Sequence, residues 1–151
     1  MKQIASFSVD HDHIVPGVYL SRIDGDITTY DLRTRKPNCG DLMDNSTMHT
    51  CEHMLATFLR NSRIADSVIY FGPMGCQTGF YLLVRDGDHQ EVLDVLRESL
   101  QKTIDYDGPV FGASRKECGN YISLDLEKAK AECARYLDVI KDWESKDLVY
   151  P

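Results

Sequence analysis

Runs of apolar and β-branched residues predict four β-strands in the first part of the chain. "VYLSRI" (18–23) and "ITTYDL" (27–32) have this character, and the Asp24-Gly25 pair between them favours a tight hairpin turn. "SVIYF" (67–71) and "GFYLLV" (79–84) are rich in the same residue types. We therefore expect an antiparallel sheet.

Three segments carry apolar residues at helical spacing instead. The first begins at a cap formed by Ser46 or Thr47 and runs to about Asn61. The other two run from Asp88 to about Tyr106 (88–106) and from Leu126 to Trp143 (126–143). Strands and helices do not alternate regularly, so the pattern predicts an α+β fold, an α/β sandwich in which helices pack on the antiparallel sheet.

Composition is that of a globular protein. The 151 residues are 42% hydrophobic and 27% charged, without repeats or linkers, which predicts a single domain over 1–151. A net charge of -7 argues against a nucleic-acid partner. We find no N-terminal signal and no long apolar run, so we expect a cytoplasmic protein without a membrane partner. Five cysteines in such a chain favour reduced thiols that can act as ligands or nucleophiles.

The helix over "MHTCEHMLATFLRN" (48–61) carries the strongest chemical signal. His49 and His53 are four residues apart and share one helix face, so both imidazoles can bind one metal ion. Glu52 lies near that face and can act as a base. The order H-x-x-E-H is a known metallopeptidase signature, and the alternative is two solvent-facing histidines beside an ordinary glutamate.

Spacing alone leaves the third ligand open. Cys51 should point away from the histidine pair, and Cys133 falls on the apolar stripe of the last helix. Cys118, in the irregular stretch "KECGNY", is only slightly favoured over Glu127. The full set of alternatives is Cys39, Cys51, Cys118, Cys133, His11, His13, His89, Glu127 and Glu132.

Two further stretches suggest reactive or binding groups. Cys76 lies in the glycine-rich turn "GPMGCQT", where it is either a reactive group on a loop or an incidental residue of a tight hairpin. The basic run "RTRK" (33–36) is either a solvated loop or an anchor for an anionic group on a small substrate.

Five sequence blocks, in order and spacing, resemble the S-ribosylhomocysteine lyase family, LuxS. Together they span residues 6–121, and the third and fourth are the most specific. The blocks are "SFSVDH" (6–11), "YDLR" (30–33), "MHTCEHMLA" (48–56), "GPMGCQTGFYL" (72–82) and "ECGNY" (117–121).

The resemblance implies three groups of site residues. It implies a divalent metal held by His49, His53 and Cys118. It implies an acid/base pair formed by Glu52 and Cys76. The positions that match substrate contacts are Ser6, His11 and Arg33.

The resemblance also implies an assembly and a reaction. We expect a homodimer with two sites at the interface and one divalent metal per subunit, Fe(II) with Zn(II) or Co(II) as substitutes. The implied enzyme converts S-ribosyl-L-homocysteine to L-homocysteine and 4,5-dihydroxy-2,3-pentanedione, the autoinducer-2 precursor, by two carbonyl migrations and β-elimination.

The chain also departs from the family pattern. Cys51 stands where leucine is frequent, and Tyr70-Phe71-Gly72 stands where some relatives have "DIS". An acidic residue near the substrate is thus missing, which leaves local substrate contacts open.

Two alternatives use the same helix. A small H-x-x-E-H metallopeptidase would use a carboxylate such as Glu127 as third ligand. A binding module with a structural zinc would need a closed set of four ligands. Sulfur ligation by Cys118 favours the lyase.

Overall fold

The computed structural model describes residues 1–151, which form four strands and three α-helices. The α+β fold class is confirmed. In chain order the elements are β1 (Gly17–Asp24), β2 (Ile27–Arg33), α1 (Asn45–Arg60), β3 (Val68–Pro73), β4 (Gly79–Arg85), α2 (His89–Asp105) and α3 (Leu126–Ile140).

The four strands form one antiparallel sheet with the order β1-β2-β4-β3. The predicted β1-β2 hairpin is present, and β3 and β4 form a second antiparallel pair. The first turns through Gly25, which adopts a positive φ of 60° that few residues other than glycine accept. The second turns through the loop that carries Cys76, between β3 and β4.

An aspartate caps the N-terminus of each helix. Asp44, Asp88 and Asp125 accept hydrogen bonds from the backbone N–H groups of Thr47, Glu91 and Lys128, respectively. The predicted cap of α1 at Ser46 or Thr47 is therefore wrong, because Asp44 is the N-cap and its carboxylate accepts from the Thr47 N–H of the first turn. The helix begins at Asn45.

The helices pack over one face of the sheet, and the core lies between the two layers. Along β2, Tyr30 and Leu32 belong to the core cluster, whereas Asp31 and Arg33 point to the opposite face. That opposite face, which we call the outer face, also bears Tyr81 of β4. The sheet therefore separates the apolar core from a buried polar pair, Asp31 and Arg33, on its other face.

The sequence pattern misplaces the end of α3 and leaves one segment unassigned. The last helix ends at Ile140, three residues before Trp143, whose indole N–H instead donates to Val18 O at 3.0 Å. The stretch 110–123 contains no strand or α-helix, only a short 3-10 turn over Tyr121–Ser123. None of the helices combines the length and the hydrophobicity that a transmembrane span requires.

Candidate active site

The H-x-x-E-H helix meets the 110–123 segment at a group of three potential metal ligands. His49 and His53 lie on the outward side of α1, whose inward side is buried, and Cys118 approaches them from the loop. One ligand atom from each residue lies within 4.8 Å of the other two. All three residues are half-buried. The structure thus brings together the histidine pair and the cysteine.

Hydrogen bonds fix which nitrogen of each imidazole is free. Phe111 O can only accept, so the Nδ1–H of His53 donates to it at 2.7 Å. Ser123 Oγ donates its proton to Asn120 O at 3.1 Å and accepts from His49 Nδ1 at 2.7 Å. Both Nδ1 atoms therefore carry the proton, and both Nε2 lone pairs are available to a metal.

The distances suit a small divalent ion. His49 Nε2 and Cys118 Sγ are 3.3 Å apart. Zinc-like bond lengths at tetrahedral angles place such a nitrogen and sulfur about 3.6 Å apart. The Asn120 backbone N–H donates to Cys118 Sγ at 3.4 Å and so helps to hold the sulfur in place. A set of two nitrogens and one sulfur leaves at least one coordination position for substrate or water.

Local electrostatics favour a neutral His49. Burial is the largest cause that lowers its pKa, the neighbouring His53 lowers it further, and the Glu52 carboxylate opposes both. Neutral imidazole is the form that binds metals. Glu52 itself is half-buried on α1 directly before His53.

The other predicted ligands are not part of this group, which contains only His49, His53 and Cys118. Cys51 and Cys133 are buried in the core, as their helix positions predict. Glu132 is also buried, and its carboxylate pairs with Arg35 at 2.6 Å. Glu127, the ligand that a metallopeptidase would use, does not join the histidines. The pair with Glu132 also decides one part of the basic run at 33–36. Arg35 binds a protein carboxylate there and is not a solvated loop residue.

Cys76 lies in a second polar group, at the edge of the outer face. Arg33 Nη1 is 3.8 Å from Cys76 Sγ and donates to Thr78 Oγ1 at 2.8 Å. The Cys76 sulfur also contacts Thr78 Oγ1 at 3.0 Å. The Cys76 side chain is exposed, whereas Arg33 is buried. A fixed cation therefore faces an accessible thiol.

Arg33 keeps its charge because of a buried partner. Its guanidinium binds Asp31 through two bonds, Nε to Oδ1 at 3.1 Å and Nη2 to Oδ2 at 2.6 Å. Burial alone would lower the pKa of Arg33, but the hydrogen bonds and charge of Asp31 outweigh it and raise the pKa. The bidentate pair also fixes the direction of the third nitrogen, Nη1.

The three predicted substrate contacts lie around one narrow cavity on the outer face. Ser6 and His11 come from the N-terminal segment and Arg33 from β2. The rest of its polar lining consists of Ser21, Asp31, Tyr81 and Tyr150. We call this cavity the outer cleft. The structure therefore brings Ser6, His11 and Arg33 together around one cavity, and Arg33 also contacts Cys76.

Sequence reasoning missed several residues of both groups. Ser123 and Phe111 orient the histidines from the 110–123 segment, which has no periodicity. The only sequence signal near them is the ligand candidate Cys118 in the same segment. Asp31 directly precedes Leu32 in the "YDLR" block, where an aspartate within a strand is an unusual residue. Tyr150 had no signal at all, because it lies far from every motif.

A helical histidine pair completed by a cysteine from a distant loop defines a small α+β protein with a candidate mononuclear metal centre. The model of the family described as S-Ribosylhomocysteinase (LuxS) matches residues 4–147 of this chain. The chain belongs to this LuxS family, so it is an enzyme whose relatives are S-ribosylhomocysteine lyases.

Similar proteins match over their whole length. A protein of Clostridium beijerinckii named S-ribosylhomocysteine lyase is 43% identical over 159 residues, covering 100% of this chain and 99% of its own. A Borreliella afzelii protein of the same name is 40% identical over 157 residues, covering 100% of both chains. One from Desulfotalea psychrophila is 43% identical over 158 residues, covering 100% of this chain and 99% of its own. The family predicted from the sequence blocks is confirmed.

Proposed function

We propose that this chain cleaves S-ribosyl-L-homocysteine to L-homocysteine and 4,5-dihydroxy-2,3-pentanedione, the precursor of autoinducer-2. The observation that carries the proposal is the group of three potential ligands, His49, His53 and Cys118, in a chain of the LuxS family. This group leaves a coordination position for substrate and lies next to Glu52. Its sulfur ligand also argues against the metallopeptidase alternative, which requires a carboxylate such as Glu127.

The reaction has to solve one chemical problem. The thioether leaves from C5 of the ribose, and that carbon–sulfur bond is not activated while the carbonyl is at C1. Two carbonyl migrations, from C1 to C2 and from C2 to C3, make the C4 proton acidic. Homocysteine thiolate then leaves by β-elimination. Each stage removes a proton from carbon, and each migration returns one to the neighbouring carbon.

Two groups of the chain exchange these protons in our proposal. Glu52 is one, positioned on α1 beside the histidines. Cys76 is the other, because its exposed sulfur lies 3.8 Å from Nη1 of the buried Arg33 guanidinium. Ser6, His11 and Arg33, which line the outer cleft, contact the substrate.

We propose one divalent metal per subunit, held by His49 and His53 through Nε2 and by Cys118 through Sγ. When bound, it supplies Lewis-acid polarisation of the substrate carbonyl. A mixed nitrogen and sulfur set suits Fe(II), with Zn(II) or Co(II) as substitutes.

We further propose a homodimer whose two sites lie at the interface. In one chain, the cavity beside Cys118 and the outer cleft share no lining residue. Large apolar side chains are exposed around the outer face, with Ile4 at 54%, Phe7 at 70% and Tyr70 at 49% exposure, which favours coverage by a second copy. Each site then combines the His49, His53 and Cys118 group of one protomer with Cys76 of its partner.

Mixing two inactive variants tests this division. Cys118→Ala and Cys76→Ala are each expected to be inactive as homodimers. In a heterodimer, one of the two sites keeps both groups, so unfolding and co-refolding, or co-expression, should restore activity at about half of the sites. No recovery from a proven heterodimer contradicts the division between protomers.

The activity itself is tested by anaerobic incubation of the metal-loaded protein with S-ribosylhomocysteine and detection of homocysteine by mass spectrometry. We expect product from the parent chain and from Cys39→Ala, which removes an exposed thiol outside both groups. Cys76→Ala and Glu52→Gln should lose turnover by at least about 100-fold while retaining metal. Absence of product from the folded, metal-loaded parent would sink the proposed activity.

A further inference from the structure

The C-terminal end of the chain is fixed against the outer face. Leu148 O accepts a hydrogen bond from Leu20 N of β1 at 2.8 Å. Two residues later, the Tyr150 ring stacks on the Tyr19 ring, with centroids 4.8 Å apart and planes 21° from parallel. The Tyr150 hydroxyl donates to Asp31 Oδ2 at 2.7 Å. Tyr150 thus forms one wall of the outer cleft.

This hydroxyl joins a continuous series of contacts that ends at Cys76. Asp31 Oδ2 accepts from both Tyr150 and Arg33 Nη2, the latter at 2.6 Å. Asp31 and Arg33 are only 1% and 3% exposed at their side chains, so water cannot replace either bond easily. Arg33 Nη1 then lies 3.8 Å from Cys76 Sγ.

We propose that Tyr150 is a positioning residue that orients Asp31, and through it Arg33, toward Cys76. By donating to the carboxylate, the hydroxyl withdraws negative charge from Asp31 and fixes the plane of the Asp31 and Arg33 pair. Without it, the carboxylate repels a thiolate more strongly and Arg33 is less well oriented. The inference rests on the proposed function only in giving Cys76 a catalytic role.

The hydroxyl is suited to donate throughout the working pH range. Burial is the largest cause that raises the pKa of Tyr150, and the charge of Asp31 raises it further. The titratable or charged groups that face Cys76 are Arg33 from β2 and Tyr81 from β4, with Asp31 and Tyr150 behind Arg33. Burial likewise raises the pKa of Tyr81, so Arg33 is the charged member of the pair at neutral pH.

The test compares two variants that each lose one tyrosine hydroxyl. Tyr150→Phe keeps the ring on Tyr19 and removes the hydroxyl, with its bond to Asp31 and its contact with Ser21. Tyr136→Phe is the matched control, because its buried hydroxyl donates to Gly17 O at 2.8 Å and does not bond Asp31. The readout is the rate at which iodoacetamide alkylates Cys76 in the metal-loaded protein, followed across pH by mass spectrometry of the Cys76 peptide.

We expect Tyr150→Phe to slow alkylation at pH 7 by about threefold and to move the pH–rate profile to higher pH, as loss of one buried hydrogen bond predicts. Tyr136→Phe should superimpose on the parent. A Tyr150→Phe profile identical to the parent, or an equal shift in Tyr136→Phe, overturns the inference. Alkylation needs no substrate, so this result is independent of whether the parent cleaves S-ribosylhomocysteine.

Discussion

Ser123 Oγ accepts a hydrogen bond from the Nδ1–H of His49 at 2.7 Å and donates one from its own hydroxyl to Asn120 O at 3.1 Å. The 110–123 segment is thus linked to α1, the helix that carries His49 and His53, in two ways. The segment supplies Cys118 as a ligand candidate, and it also sets the tautomer of the histidine that the cysteine faces. One loop therefore determines both the composition and the orientation of the group.

The first prediction concerns Ser123. We expect Ser123→Ala to weaken metal affinity by about 10-fold to 100-fold, because His49 loses the partner that orients its ring and raises its basicity. Ser62→Ala removes another half-buried serine hydroxyl, bonded to Leu59 O at 2.7 Å and outside the metal group, and serves as the control. Titration against a chelating dye measures both affinities. Equal affinity in Ser123→Ala and the parent contradicts the orienting role.

The second prediction separates Cys118 from the other thiols. Cys118→Ser replaces a thiolate ligand by a weak neutral one, so metal retained after dialysis should fall by at least about 10-fold. Cys39→Ser, which alters an exposed cysteine far from the group, should retain the metal of the parent. Elemental analysis by mass spectrometry gives the metal content per chain. Retention of a full complement by Cys118→Ser removes this residue from the ligand set.

Much of the fold follows from patterns that act over a few residues. Strands and helices have local periods, so the positions of β1 to β4 and of α2 were predictable to within about two residues. The cap of α1 was not, because Asp44, Ser46 and Thr47 are all good caps and the choice depends on where the preceding loop enters. The end of α3 was missed because Trp143 continues the apolar spacing beyond the helix.

The candidate site shows the same division between local and distant information. His49, Glu52 and His53 could be found from the sequence because one helix determines their arrangement. Spacing could not choose between Cys118 and Glu127, since that choice depends on how a segment without periodicity folds back onto α1. Resemblance to the family supplied the choice, and the geometry agrees with it. The homodimer, the identity of the metal and the location in the cytoplasm stay predictions.

The third prediction concerns the helix cap before the metal ligands. Asp44 accepts from Thr47 N at 2.7 Å and pairs with Lys128 at 2.9 Å. Asp44→Ala should lower the free energy of unfolding at pH 7 by about 1 kcal/mol, the usual contribution of an N-cap. Asp44→Asn keeps an acceptor for Thr47 and loses only an exposed ion pair, so we expect a loss below about 0.5 kcal/mol. Urea unfolding followed by circular dichroism measures both.

Acid should remove the difference between the Asp44 variants and the parent. Lys128 first, and then the Thr47 backbone N–H, lower the pKa of Asp44 to about 2. Because the folded pKa lies below the unfolded value of about 3.9, this stabilisation is present above pH 4 and is lost as the pH falls through 2. A gap between the parent and Asp44→Asn that stays constant from pH 5 to pH 2 contradicts this assignment.

The last prediction concerns Cys51, the cysteine inside the H-x-x-E-H motif of α1. Its side chain is 1% exposed and packs in the core beside Cys133, on the side of α1 away from the histidines. Cys51→Ser places a strongly polar hydroxyl in that apolar surrounding and should lower the free energy of unfolding by about 1–3 kcal/mol. Cys39→Ser changes an exposed thiol in the same way and should stay within about 0.5 kcal/mol of the parent. Urea unfolding gives the free energies, and metal content in the folded state should be unchanged in both variants. Loss of metal from folded Cys51→Ser, without loss of stability, shows that this thiol serves the site and not the core.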